Sequence, residues 1–191
     1  MADAGLTRGG FYNHFKNKED LFAAAIESFL DCDAAEVIGM TCPVSLSTGE
    51  RAHAFVNAYL STQHRAGQKG VCPLIALPTD VTRAGPAVKN SYQKLFEGMV
   101  GTFAKSINPV AGQSSHDRAL ALAATCVGGM ILARAMGDTA LSDRIREAAL
   151  ATARETLNGG GNDAEVKPMR NTGPINGQEH RPASAKVVAA E

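Results

Sequence analysis

Gly5-Leu6-Thr7-Arg8-Gly9-Gly10-Phe11-Tyr12-Asn13-His14-Phe15-Lys16-Asn17-Lys18-Glu19-Asp20-Leu21 decides how the rest of this chain is read. The stretch has the form of the turn and second helix of a helix-turn-helix, running straight into another helix. Gly5 supplies the permissive backbone that closes one helix and opens a tight turn. Thr7 is placed to cap the next helix by accepting a backbone N–H from its first turn. Phe11 and Phe15 stand four apart, share one face and pack inward. Arg8, Gly9, Tyr12 and Asn13 fall largely elsewhere around the helix, where a duplex can be met. Asn17-Lys18-Glu19-Asp20 then reads as a fresh helix start, a cap followed by first-turn acids.

This run closely resembles the DNA-binding signature of the TetR family of bacterial repressors. In that signature a recognition helix ends in aromatic-Tyr-x-His-Phe and is followed by a Lys-x-Lys-x-x-Leu-like segment. The likeness covers residues 2–22 without a gap. It implies phosphate contacts from Thr7, Tyr12, His14 and Lys18. It places Arg8, Gly9 and Gly10 nearer the base edges, with Asn13 contributing. The chemistry suits those roles, since phosphate contacts fix register while arginine reads guanine in the major groove. Gly9 and Gly10 lower helix stability but let the backbone approach the groove closely. The family also has a helix and most of a second before the Ala4-Gly5 turn. The recorded start is therefore expected to be an internal methionine of a longer protein, or that of a truncated copy. Without those helices Phe11, Phe15 and Leu21 would leave an apolar patch uncovered.

Composition bounds the remainder. The 191 residues suffice for one sizeable core, or a small domain joined to a larger one. Nineteen basic residues balance nineteen acidic ones, so net charge does not argue for or against nucleic acid; a local patch can still bind it. Apolar residues make up 45% while aromatics are 5% and tryptophan is absent, a mixture that favours closely packed helices. Cys32, Cys42, Cys72 and Cys126 are scattered, with no Cys-x-x-Cys pair or Cys/His cluster. No zinc or other metal site, and no cofactor, is expected from them. The N-terminus has no signal-peptide pattern. The longest charge-free apolar stretch, 119–133, is short for a membrane span and reads as a buried helix in a reduced, cytoplasmic protein.

In chain order, apolar spacing predicts a helix from Lys18 to about Ile38 and a loop from Gly39 to Gly49. A helix from Glu50 to about Arg65 turns Phe55, Tyr59 and Leu60 inward, and Ala66–Gly70 breaks it. Residues 71–81 form one short helix. Gly85-Pro86 starts another, whose buried stripe is Val88, Tyr92, Leu95, Phe96, Met99, Val100, Phe103 and Ile107. Asn108 to Ser115 is a loop. His116–Met136 is apolar almost all round, with Gly128-Gly129 permitting close helix approach. Asp138–Leu157 is the last helix, with Leu141, Ile145, Ala148, Ala149, Thr152 and Thr156 on one face. The Gly- and Pro-rich segment 158–191 reads as a disordered tail. The expected architecture is all-α and TetR-like: 1–38 a partial helix-turn-helix with its linking helix, 39–157 a helical ligand-binding and dimerisation domain.

The helices at about 116–136 and 138–157 resemble the pair that builds the four-helix dimer interface of TetR-like repressors. The resemblance implies a homodimer that binds a palindromic double-stranded DNA operator and responds to an unidentified small-molecule inducer. Phe55, Tyr59, Tyr92, Phe96, Met99 and Cys126 could line an apolar ligand cavity or simply fill the core. Cys72, between a glycine-bearing loop and Pro73, resembles cysteines through which some TetR-like repressors sense electrophiles. Lys69 could lower its pKa, while an inert thiol is the plainer alternative. His53, His64 and His116 stand isolated, and no Ser/His/Asp, paired-carboxylate or phosphate-loop pattern surrounds them. The expected function is ligand-responsive transcriptional regulation, most simply repression, and not catalysis. The rival is a helical dimerisation or small-molecule-binding protein that has lost DNA binding by truncation.

Overall fold

Capping sets where the helices begin. In the computed structural model, which describes residues 12–31, 46–66 and 71–159, Asn17 accepts the Asp20 N–H at 2.9 Å and opens α1, Lys18–Asp31. Ser47 and Glu50 form a reciprocal capping box at the start of α2, Thr48–Tyr59. Ser61 caps the single-turn α3, Thr62–Arg65. Prolines in the first turn open α4, Pro73–Ala76, α5, Pro78–Arg83, and α6, Pro86–Ala104. Ser114 caps α7, Ser115–Ala135, and Thr139 caps α8, Ala140–Leu157. The fold is all-α, and the described residues hold no β-strand, only one isolated bridge between Val110 and Gln113.

Two of the sequence expectations divide further. The helix expected over 50–65 breaks after Tyr59 and restarts at Thr62, and the one expected over 71–81 is two short helices. Arginines hold the break and the end of α3 by reaching carbonyls near the C-termini of the two helices. Arg134 of α7 donates to the His64 and Arg65 carbonyls at 3.2 and 2.7 Å, and Arg146 of α8 donates to the Leu60 carbonyl at 3.2 Å. Arg65 itself bonds the Ser142 hydroxyl at 2.9 Å and the Asp138 carboxylate at 2.6 Å. The short helix α3 is thereby tied to α7 and to the start of α8.

The apolar stripes meet in two clusters. The larger joins α2, α4, α6, α7 and α8, with Tyr59, Leu60, Phe103, Leu122, Cys126 and Met130 all but sealed from solvent. At about 25 cal/mol per Å² of apolar surface buried, each such large side chain contributes roughly 1.5–3 kcal/mol before entropy is counted. The smaller cluster seats Ala23 and Ile26 of α1 against Val81 and Val88. Tyr92 and Leu95 of α6 touch both clusters.

On α7, Gly129 is indispensable to the approach of α8, because an added Cβ would lie 2.6 Å from the Ala149 Cβ. Gly137, at φ +65°, stops α7 in the left-handed region that favours glycine. Among the described residues α7 is also the one helix long and apolar enough to cross a membrane by length and composition. Here it is the central helix, with Ala119, Leu122, Ala123, Cys126, Met130 and Ala133 buried against its neighbours. The part of the expected first helix beyond Asp31, Cys32 and Cys42, and the segment 160–191 lie outside the described residues.

Candidate functional site

Of the sequence candidates for DNA contact, Thr7, Arg8, Gly9 and Gly10 lie outside the described residues. Residues 12–14 are helical and turn outward: Tyr12 is 62% exposed, and Asn13 and His14 are exposed beside it. Phe15 is half-buried, with its ring 6.4 Å from that of His14. Lys18 is exposed in the first turn of α1, and the Lys16 N–H donates to the Asp20 carboxylate at 3.1 Å. Tyr12, His14 and Lys18 thus present polar groups to solvent, the condition a phosphate contact requires.

Two carboxylates carry this segment onto the helical domain. Glu19 Oε1 accepts the Gly85 N–H at 3.0 Å, at the N-cap of α6. Glu27 Oε1 accepts from the Ser91 hydroxyl at 2.9 Å and pairs with Lys94 at 3.2 Å. The Ser91 hydrogen bond, and then Lys94, hold the Glu27 carboxyl below the usual carboxylate range.

All six candidates for a ligand-lining role come together in or against the larger core cluster. Phe55, Tyr59, Met99 and Cys126 are buried, while Tyr92 and Phe96 are partly buried against them. Phe55 stacks on Tyr59 at 5.7 Å between ring centroids and meets Phe103 edge-on at 5.5 Å. Tyr92 donates its hydroxyl to the Leu74 carbonyl at 2.8 Å. The Tyr59 hydroxyl, in contrast, is buried with no hydrogen-bond partner. The Cys72 thiol lies close enough to act on it as a charge and as a weak hydrogen-bonding group, short of the geometry of a full hydrogen bond. Burial is the first cause that pushes the Tyr59 phenol well above its ordinary value.

Cys72 is buried at the N-cap of α4. Burial pushes its thiol up, outweighing the Leu74 N–H and the other groups that act the opposite way. Cys126 is pushed up to about 12 by burial alone. Such thiols hold little thiolate, so an inert thiol fits Cys72 better than a sensor; Lys69 lies outside the described residues.

Sequence reasoning left His64 isolated, but the fold does not. Its ring meets Tyr59 edge-on at 4.9 Å, and both ring nitrogens are buried without a partner. Burial first, and then Arg134, lower its pKa to about 4, so the imidazole is neutral near pH 7. The contact spans the break between α2 and α3, which no helical period displays.

The outer face of α7 and α8 remains apolar. Leu120, Leu132, Met136 and Leu141 are exposed, and Leu141, Arg144, Ile145, Glu147 and Ala148 line a shallow groove of about 480 Å³. Of the residues expected on one face of α8, Ala149 turns inward, whereas Leu141, Ala148 and Thr152 face outward.

Residues 1–25 match the family of bacterial regulatory proteins named tetR. Among solved structures, the chain is similar to a TetR transcriptional regulator from Legionella pneumophila, with 24% identity and a TM-score of 0.59, covering 79% of this chain and 82% of that one. It is also similar to reduced NemR from E. coli, with 18% identity and a TM-score of 0.64, covering 81% of each chain. These likenesses show a TetR-like fold across most of the chain. No curated relative matches the sequence.

Proposed function

We propose that this chain is a TetR-family regulator, ligand-responsive and DNA-binding, most simply a repressor, acting as a cytoplasmic homodimer on a palindromic operator. The observation that carries the reading is the N-terminal family match joined to a segment whose Tyr12, His14 and Lys18 are exposed immediately before and within α1. In this reading residues 1–38 bind DNA, 39–157 bind ligand and dimerise, and 158–191 form a tail. Thr7, Tyr12, His14 and Lys18 hold phosphates, while Arg8, Gly9, Gly10 and Asn13 face the bases.

The exposed apolar face of α7 and α8 supports a second copy as partner, since pairing would bury Leu132 and Leu141. Gly128 has open space around it, room in which a partner helix can come close. Two copies would place their recognition helices about 34–36 Å apart, or somewhat more, in successive major grooves. Ligand in the larger core would act through α6, because Tyr92 and Leu95 touch both that core and the α1 cluster. Such a ligand shifts DNA binding only as far as it prefers one arrangement over the other.

The test is a titration of the full chain against promoter DNA adjoining its gene, repeated over a range of salt. Expected is saturable binding whose logarithm falls linearly with that of salt, with Lys18→Ala lowering the slope by about one. Absence of binding at low salt, with a folded dimer in the tube, sinks the DNA reading and leaves a helical dimerisation or small-molecule-binding protein.

A further inference from the structure

We propose that Tyr59 and His64 form the recognition end of an internal site for a small, uncharged, largely apolar molecule that carries a hydroxyl or carbonyl group. This rests on the reading above that the helical domain binds a small molecule, and it names the chemistry of that molecule.

Buried polar atoms normally have partners, because leaving one unmade costs the desolvation of the group. Here both nitrogens of His64 are unpartnered, and Tyr59 Oη has only the weak neighbouring Cys72 thiol short of full hydrogen-bond geometry, on two rings in edge contact at 4.9 Å. Packing alone does not call for them, since phenylalanine would fill the place of Tyr59 without an orphaned hydroxyl. A neutral imidazole offers one N–H donor and one lone pair, and a phenol can donate or accept. The pair therefore suits a hydroxyl or a carbonyl.

The surroundings restrict the rest of the molecule. Phe55, Phe103 and Met130 belong to the same core and offer apolar contact. The neighbouring thiols of Cys72 and Cys126 are pushed up by desolvation, so a charged ligand would meet the same penalty. Arg134, the charge closest in effect to His64, is engaged with the His64 and Arg65 carbonyls. Val71, Tyr92 and Phe96 lie against this core while remaining partly open to solvent, so its edge is not sealed there.

Three probes of nearly one size separate the alternatives: benzyl alcohol, toluene and benzoate. The full chain is labelled with ¹⁵N at histidine, His64 is assigned through His64→Gln, and its ring nitrogens are followed during each titration. Benzyl alcohol is expected to move the His64 nitrogens. Toluene should bind more weakly without that shift, and benzoate should not bind. Tyr59→Phe, which removes only the orphaned hydroxyl, should weaken benzyl alcohol about three- to tenfold, the worth of one hydrogen bond, and leave toluene unchanged. Nitrogens unmoved by all three probes, an equal response to toluene, or tighter binding of benzoate each overturn the proposal. So does an unchanged alcohol-to-toluene ratio in Tyr59→Phe. DNA titration reads the other question separately: a chain that binds promoter DNA but none of these probes loses the site and keeps the regulator reading. One that binds the alcohol but no DNA does the reverse.

Discussion

Glu19 Oε1 accepts the Gly85 N–H at 3.0 Å, so a side chain of α1 caps a helix whose N-cap lies 66 residues later. Gly85 has no side chain with which to cap α6, and the first turn of α6 holds no acid. Glu19 supplies both the acceptor and the negative charge that a helix N-terminus favours. Glu19→Ala is expected to destabilise the fold by about 0.5–1 kcal/mol, and Glu19→Gln by less, because the amide oxygen can still accept. Gly85→Ala would drive a Cβ into the Glu19 carboxylate and displace it. The two losses should therefore not add in a urea-denaturation double-mutant cycle; additive losses would mean that Glu19 does not act through Gly85.

Gly128 and Gly129 are neighbours with opposite expected behaviour. Gly129→Val places bulk against Ala149 and should cost about 1–3 kcal/mol through separation of α7 and α8. Gly128→Ala meets open space and removes a flexible residue from a helix interior, so the isolated fold should gain roughly 0.5–1 kcal/mol. Gly128→Leu should keep the fold and weaken self-association if this face holds a second copy. Thermal melts read the first pair and sedimentation equilibrium the third; undiminished association of Gly128→Leu would remove this face from the dimer.

Acid should weaken the fold through His64. Its folded pKa of about 4 lies below the ordinary 6.5, so the unfolded chain takes up the proton more readily. The resulting stabilisation is complete above pH 6.5, declines as pH falls through that value, and is gone by about pH 4. Its size is on the order of 3 kcal/mol. Urea midpoints measured across this window should fall less steeply in His64→Gln than in the wild type. Parallel profiles would show that another group carries the acid sensitivity.

Cys72 and Cys126 should resist alkylation while the chain is folded. Both are buried with thiols pushed upward. Iodoacetamide at neutral pH, followed by peptide mass mapping, should label them only after urea is added, with a rate difference of at least about tenfold. Rapid labelling of native Cys72 would restore the sensor reading that its burial argues against.

The helices with one strong apolar period were readable in the sequence. The span expected over 116–136 is observed as Ser115–Ala135, and of the stripe expected with α6, Val88, Met99, Val100 and Phe103 are buried on that helix, Tyr92, Leu95 and Phe96 are partly buried, and Ile107 is buried just past its end. The Asn17 start of α1 was also legible, because cap and acids are adjacent in the chain. The α2–α3 break was not. Leu60 is fully buried and continues the apolar pattern, while the groups that hold the break, Arg134 and Arg146, arrive from distant helices. On α1, Leu21 and Leu30 share the apolar spacing yet stay exposed, whereas Ala23 is buried; spacing gives a stripe, not its exact edge. The same limit hid His64, whose partner ring lies across a chain turn.

Because α1 rests chiefly on α6, compatibility between the N-terminal segment and the helical core is concentrated in few positions. Glu19 must suit Gly85, Glu27 must suit Ser91 and Lys94, and Ile26 must suit Val88. A chimaera exchanging everything up to Asp31 with a relative needs matching there above all, while residues around Tyr59 can drift without touching that match. The N-terminal arm and the buried core can thus diverge at separate rates over evolution, inherited like two parts that share one fitting.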